Sequence, residues 1–303
     1  MAVENGYIID HLKHQDYGFI VVVFSRLTTL KVGAYHEIKF LLSSSVARSL
    51  DRSLSTLEIR NCGSMEEIVS VSFPSLEMLR LCKLPKLKAV WQNQLAPDSF
   101  CRLRNVTVMK CVSLINLFVP CISERLDSLE ALYVECCPLL EVVFKYEGLK
   151  FKETHDTLTK KLKTFSYFPN LGVFDINHCD KLKYIFQTEV RQETVPKFVF
   201  PKVTELIFSH LPNLKSIYPG KHVSQWPSLQ DLEVDKCGEV EIVAGELSLC
   251  RENQESDSHS IQIKQPLILF EKGSPVFPHL EALELGAIEM WSGPLLPPVF
   301  VVA

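Results

Sequence analysis

One pattern of apolar and variable positions recurs along the chain: an apolar residue, two variable ones, an apolar residue, one variable one, an apolar residue. It reads Leu27-Leu30-Val32, Leu54-Leu57-Ile59, Leu76-Leu79-Leu81, Leu103-Val106-Val108 and Leu129-Leu132-Val134. It continues as Leu171-Phe174-Ile176, Val203-Leu206-Phe208, Leu229-Leu232-Val234 and Leu280-Leu283-Leu285. The apolar-variable-apolar step has period two, so both apolar residues leave a short strand on the same side. Further positions keep phase with it. Eight residues after the anchor stand Tyr35, Cys62, Leu84, Cys111, Cys137, Cys179, Leu211, Cys237 and Ile288. Apolar residues return eleven and fourteen residues after it, as in Met65 and Ile68 or Leu114 and Leu117. An aromatic-Pro pair often opens the unit: Phe73-Pro74, Phe168-Pro169, Phe200-Pro201, Trp226-Pro227, Phe277-Pro278.

A unit of this size cannot bury its apolar face alone, so neighbours must stack. The pattern predicts a curved α/β solenoid of the leucine-rich-repeat type with about nine repeats. Its parallel β-sheet lines the concave face, and loops or short helices cover the convex face. The step from Leu129 to Leu171 is 42 residues and that from Leu229 to Leu280 is 51. Both exceed one unit, and the phase resumes after each, so they predict surface insertions near 145–167 and 244–272. The first is lysine-rich and the second polar. Residues 24–303 are then one solenoid, and 1–23 are an N-terminal segment forming an incomplete cap. The cap is incomplete because GFIVVVF runs straight into the first unit, whereas a solenoid end needs a polar cap.

Composition narrows the function. Leucine is the commonest residue, with 41 copies among 303. A net charge of -4 argues against a general nucleic-acid binder, which carries a basic excess. The longest apolar run, Phe19 to Phe24, is far short of the roughly 20 residues of a membrane span. No secretory signal opens the sequence. The ten cysteines are therefore expected in a reducing cytosol or nucleus.

With the repeat in hand, the sequence resembles the leucine-rich-repeat region of plant intracellular nucleotide-binding immune receptors of the coiled-coil class. The resemblance rests on FSRLTTLKV and LSSSVARSL (Phe24 to Val32, Leu42 to Leu50), LSTLEIRNCGSMEEIVS (Leu54 to Ser70) and FPSLEMLRLCKLPKLKAVW (Phe73 to Trp91). Units that alternate a Cys-x-x-Leu turn with a Leu-Pro-x-Leu turn carry it further, to about Trp291. It implies a protein-interaction module of plant innate immunity whose partner is a pathogen effector or an effector-modified host protein. In a complete receptor it would also regulate the nucleotide-binding module. No GxxxxGK[ST] loop occurs here, so this sequence does not supply that switch. The alternative is a stand-alone repeat scaffold or ubiquitin-ligase substrate adaptor.

Catalytic signatures are missing: there is no G-x-S-x-G, no H-E-x-x-H and no C-x-x-C. Neither an enzyme nor a metal or organic cofactor is expected. The cysteines eight residues after the anchor exchange with Leu and Ile, which marks a buried apolar site for reduced thiols. His178 and His210 stand at equivalent positions of neighbouring units and predict a surface pair. The variable residues between and just after the inward ones should line the concave face. There the early units carry Arg60, Arg80, Lys83, Arg104 and Lys110. The later ones carry Glu135, Asp175, Glu233, Asp235 and Glu284. A candidate partner surface running from basic to acidic results, with His178 and His210 on it.

Overall fold

The computed structural model describes residues 26–39, 53–69, 73–91, 98–123, 125–146, 162–165, 168–188, 195–220, 222–238, 243–244, 268–269 and 277–286. Residues 1–23 lie outside these, as do Ile288 and Trp291. Each of the nine sequence units forms one inner strand: Thr29–Gly33, Thr56–Arg60, Met78–Cys82, Asn105–Met109, Ala131–Glu135, Val173–Asn177, Glu205–Ser209, Asp231–Asp235 and Ala282–Gly286. They make one nine-stranded sheet in sequential order, parallel throughout. The register matches the repeat position by position, so Leu30 lies beside Leu57 and Leu57 beside Leu79. Across the long interval, Leu132 lies beside Phe174. Parallel strands must be buried on their inner side. The inward residues are: Leu57, Ile59, Leu81, Val106, Val108 and Ile176 are fully buried.

The convex side carries short strands in addition to the loops and the single short helix, Pro120–Ser123, among the described residues. Glu67–Val69 pairs with Ala89–Trp91, and Tyr184–Thr188 pairs with Val142–Tyr146, which pairs with Asn116–Phe118. These strands hold the apolar residue fourteen after the anchor together with the next one. Trp91, Phe118, Phe144 and Phe186 thereby stack in a column, with ring centroids 5.8, 5.0 and 5.2 Å apart. Near-parallel rings at these distances add about 0.5–1.5 kcal/mol per pair beyond their burial.

The opening aromatics of neighbouring coils also meet in pairs. Phe73 and Phe100 meet edge-on at 6.0 Å, and Phe200 and Trp226 stack at 4.0 Å. Part of the first insertion joins a separate three-stranded sheet: Leu162–Phe165 pairs with Val195–Val199, which pairs with Val223–Gln225. For the second, the pairing of Val243–Ala244 with Ile268–Leu269 brings its two sides together. Residues 245–267 between them lie outside the described residues.

The residue after each of the first eight inner strands takes a left-handed backbone, with φ between 49° and 62°: Ala34, Asn61, Lys83, Lys110, Cys136, His178, His210 and Lys236. Its N–H still donates to the next coil, as from Lys83 to the Met109 carbonyl at 2.9 Å and from His210 to the Asp235 carbonyl at 2.8 Å. The sheet's hydrogen bonding is thus carried one residue beyond the strand while the chain turns away. The following residue dives into the core. Cys62, Cys111, Cys137, Cys179 and Cys237 occupy that place, buried and free. Each thiol points at the carbonyl two residues back, at 3.4 Å in Cys62 and 3.3 Å in Cys237. That carbonyl already accepts the N–H from the preceding coil, so the S–H adds a second, weak donor to its other lone pair without adding bulk.

Burial pushes the Cys62 thiol up and the Cys237 thiol up to about 12. A thiol that stays protonated is a poor nucleophile. In native protein, a maleimide is therefore expected to modify the exposed Cys101 first and to spare Cys62, Cys111, Cys179 and Cys237. Peptide mapping after timed labelling reads this, and modification of the buried four at the rate of Cys101 would contradict it.

Candidate interaction surface

The outward residues of the nine strands fall into three columns, because each strand aligns residue for residue with the next. The middle column runs Lys31, Glu58, Arg80, Thr107, Tyr133, Asp175, Ile207, Glu233, Glu284. On the side nearer the turn run Gly33, Arg60, Cys82, Met109, Glu135, Asn177, Ser209, Asp235 and Gly286. Outside that column, at the left-handed positions, come Lys83, Lys110, His178, His210 and Lys236. Arg104 stands at the opposite edge, just before its strand.

The basic stretch is partly neutralised. Glu58 is only 4% exposed and lies between two cations, Lys31 at 3.2 Å and Arg60 on its own strand. Arg60 is therefore committed to a partner inside the fold. Arg104 reaches Glu130 of the next coil at 3.3 Å, both half-exposed, a geometry of small net value. Arg80, Lys83 and Lys110 make no ion pair among the described residues.

Apolar residues are interspersed among the charges. Met78 is 37% exposed and Tyr133 38%, with Met109 and Ile207 half-buried nearby in the columns. Reading only charges along the sequence passed over these four. The signal was present, because a large apolar residue at an outward strand position has no core to fill.

The acidic stretch is mutually repelling. Burial holds the Asp175 carboxyl above its ordinary range, Glu135 and Glu205 add to this, and a hydrogen bond from Asn177 opposes it. Burial likewise raises Glu233, with Glu284, Asp175 and Asp235 adding to the effect. A carboxyl raised in the folded state stabilises the fold below the ordinary carboxylate pKa, and that contribution is lost as pH rises through its folded value. The double variant Asp175→Asn, Glu233→Gln is thus expected to melt above the parent at neutral pH. The gap should close below about pH 4. Melting curves across pH check this, and a gap independent of pH would contradict it.

His178 and His210 do stand side by side, their rings stacked at 4.2 Å and 10° from parallel. Lys236 Nζ donates to His210 Nε2 at 3.1 Å, so His210 Nδ1 carries the proton and faces Ser209 Oγ at 2.8 Å. Lys236 also lies 3.4 Å from Asp235. His178 Nδ1 faces the Asn177 amide oxygen at 3.3 Å, and the Asn177 amide holds Asp175. Two polar clusters, one around each imidazole, meet through the stacked rings. Among the described residues, no group of three His, Cys, Asp or Glu side chains has the geometry of a metal site. None of their helices is long and apolar enough to cross a membrane.

Three overlapping stretches of the sequence, residues 7–138, 75–166 and 147–251, match the family described as plant disease resistance protein RPS2-like, leucine-rich repeats. The chain belongs to this family. The matched stretches cover most of the sequence and include eight of the nine inner strands. No curated protein and no solved structure matches the chain. RPS2-like leucine-rich repeats are interaction modules of plant disease resistance proteins, which places this chain in a protein-interaction role in plant immunity. The nine-stranded sheet gives that role a concave surface about 40 Å long at the usual strand spacing.

Proposed function

We propose that the concave face recognises a pathogen effector, or a host protein that an effector has modified. In a complete receptor, the same face would restrain the nucleotide-binding module. The observation that supports this most is the order of side chains on a rigid, in-register sheet. Unpaired cations at Arg80, Lys83 and Lys110 come first with the exposed Met78 beside them, Tyr133 comes next, and the repelling carboxylates of Asp175 and Glu233 follow. Complementary charge steers encounter and selects partners, while desolvated aromatic anchors supply most of the affinity. The raised carboxyls gain the most from a cationic partner, because each cation relieves a repulsion already present in the free protein. A ligand that prefers the released state then shifts the receptor toward it.

The test is the triple variant Arg80→Glu, Lys83→Glu, Lys110→Glu in a complete receptor. It is expected to fold normally, to raise signalling without ligand and to weaken the response to the recognised protein. Normal folding with both signals unchanged would refute the assignment.

A further inference from the structure

Among the described residues, the large apolar side chains that stay exposed fall into two groups. Met78 and Tyr133 belong to the concave face. Val112, Ile115 and Leu139 do not: they lie on the flank, in the turns that follow two adjacent inner strands. Ile115 is the most exposed of all five at 46%, with Val112 at 41% and Leu139 at 37%. The two turns are in direct contact, since Glu141 N–H donates to the Ile115 carbonyl at 2.9 Å. Equivalent turns in the other coils carry polar residues, Gly or Pro at these places, such as Glu37, Ser64, Pro85, Asp180 and Asn213, so the repeat itself does not call for aliphatic residues there.

Lysines bracket these aliphatics on both sides. The preceding coil carries exposed Lys86 and Lys88, and its Pro85 carbonyl accepts from Ser113 Oγ beside Val112. The following coil carries exposed Lys181 and Lys183, joined through Lys181 N–H to the Pro138 carbonyl and Lys183 N–H to the Glu141 carbonyl, both at 3.1 Å. Lys215 continues the row. These lysines make no ion pair among the described residues.

We propose that this flank is a second docking surface, separate from the concave face, which takes an acidic amphipathic segment of a protein partner. Exposed aliphatics in a polar rim mark interaction sites. The lysine rim selects the sign of the partner. A second copy of the chain docking flank to flank would set lysine against lysine. A flat anionic membrane would have to meet Glu141 and Asp180 as well as the lysines that they interrupt; discrete carboxylates on a polypeptide can be placed to avoid them.

The test uses the full chain and a synthetic amphipathic helical peptide of about 15 residues, with a leucine face flanked by glutamates. Its counterpart has lysine for every glutamate, and a third probe is vesicles of phosphatidylcholine with phosphatidylserine. The glutamate peptide is expected to bind at least about tenfold tighter than the lysine peptide, with affinity falling as salt rises. Leu139→Asp and the pair Lys88→Glu, Lys183→Glu should each lose about tenfold or more, with circular dichroism unchanged. Leu139→Ser keeps the hydrophobic contribution testable if the aspartate variant unfolds. Tyr133→Ala should leave this binding intact, which separates the flank from the concave face. Equal binding of the two peptides, preference for vesicles over peptide, or flank-dependent self-association in sedimentation would each overturn the proposal.

Discussion

Phe144→Ala is expected to destabilise the protein by about 3–5 kcal/mol. Phe144 is fully buried and touches four aromatic rings: Phe118 at 5.0 Å, Phe168 at 4.5 Å, Phe174 at 6.2 Å and Phe186 at 5.2 Å. These neighbours come from the coils on both sides, so the substitution leaves a cavity at a junction rather than inside one coil. A solenoid's stability is roughly a sum of coil terms and nearest-neighbour interfaces. Weakening one interface should therefore divide a single unfolding transition into two. Urea unfolding can follow this through Trp91 on one side of the junction and Trp226 on the other, in single-tryptophan backgrounds. Coincident transitions with an unchanged midpoint would show that the column does not couple the coils.

Tyr133→Ala should do the reverse. The side chain faces outward at the centre of the sheet, between Thr107 and Asp175, so the unfolding midpoint should stay within about 0.5 kcal/mol of the parent. Recognition should weaken by about 2 kcal/mol or more, roughly thirtyfold in Kd. A complete receptor titrated with the protein that it recognises gives the measurement. Unchanged affinity would remove Tyr133 as an anchor and leave only the charges of the concave face to account for recognition.

The inner sheet was legible residue by residue because its two inward positions alternate with variable ones, and alternation is the signature of a one-sided strand. Pairs such as Leu132 and Phe174 hold across the long insertion because phase, not spacing, sets the register. The convex strands were not legible. In Ala89–Trp91 and Asn116–Phe118 two consecutive residues are buried, since the chain rounds a corner of the core there and alternation is lost. Leu162–Phe165 was hidden by the lysine-rich sequence around it, which suits a strand in a small outer sheet as well as a loop. On the concave face, the positions of Asp175, Glu233 and Glu284 in one column followed from the repeat. The burial of Glu58 between Lys31 and Arg60 did not, because proximity across neighbouring coils tells nothing of how deep a carboxylate sinks. Glu58 draws Arg60 into an internal contact and narrows the basic stretch.

The eight left-handed corners carry five kinds of residue: alanine, asparagine, lysine, cysteine and histidine. Glycine would adopt this backbone without strain, whereas other residues give up roughly 1 kcal/mol at each corner. That strain comes from the Cβ atom, is eased for asparagine and is similar among the other unbranched side chains found here. Exchanging one such residue for another thus changes what the rim displays while leaving the fold's stability almost untouched. The corners behave as interchangeable letters on a fixed line of type, and a lineage can rewrite them quickly without first acquiring a compensating change in the core.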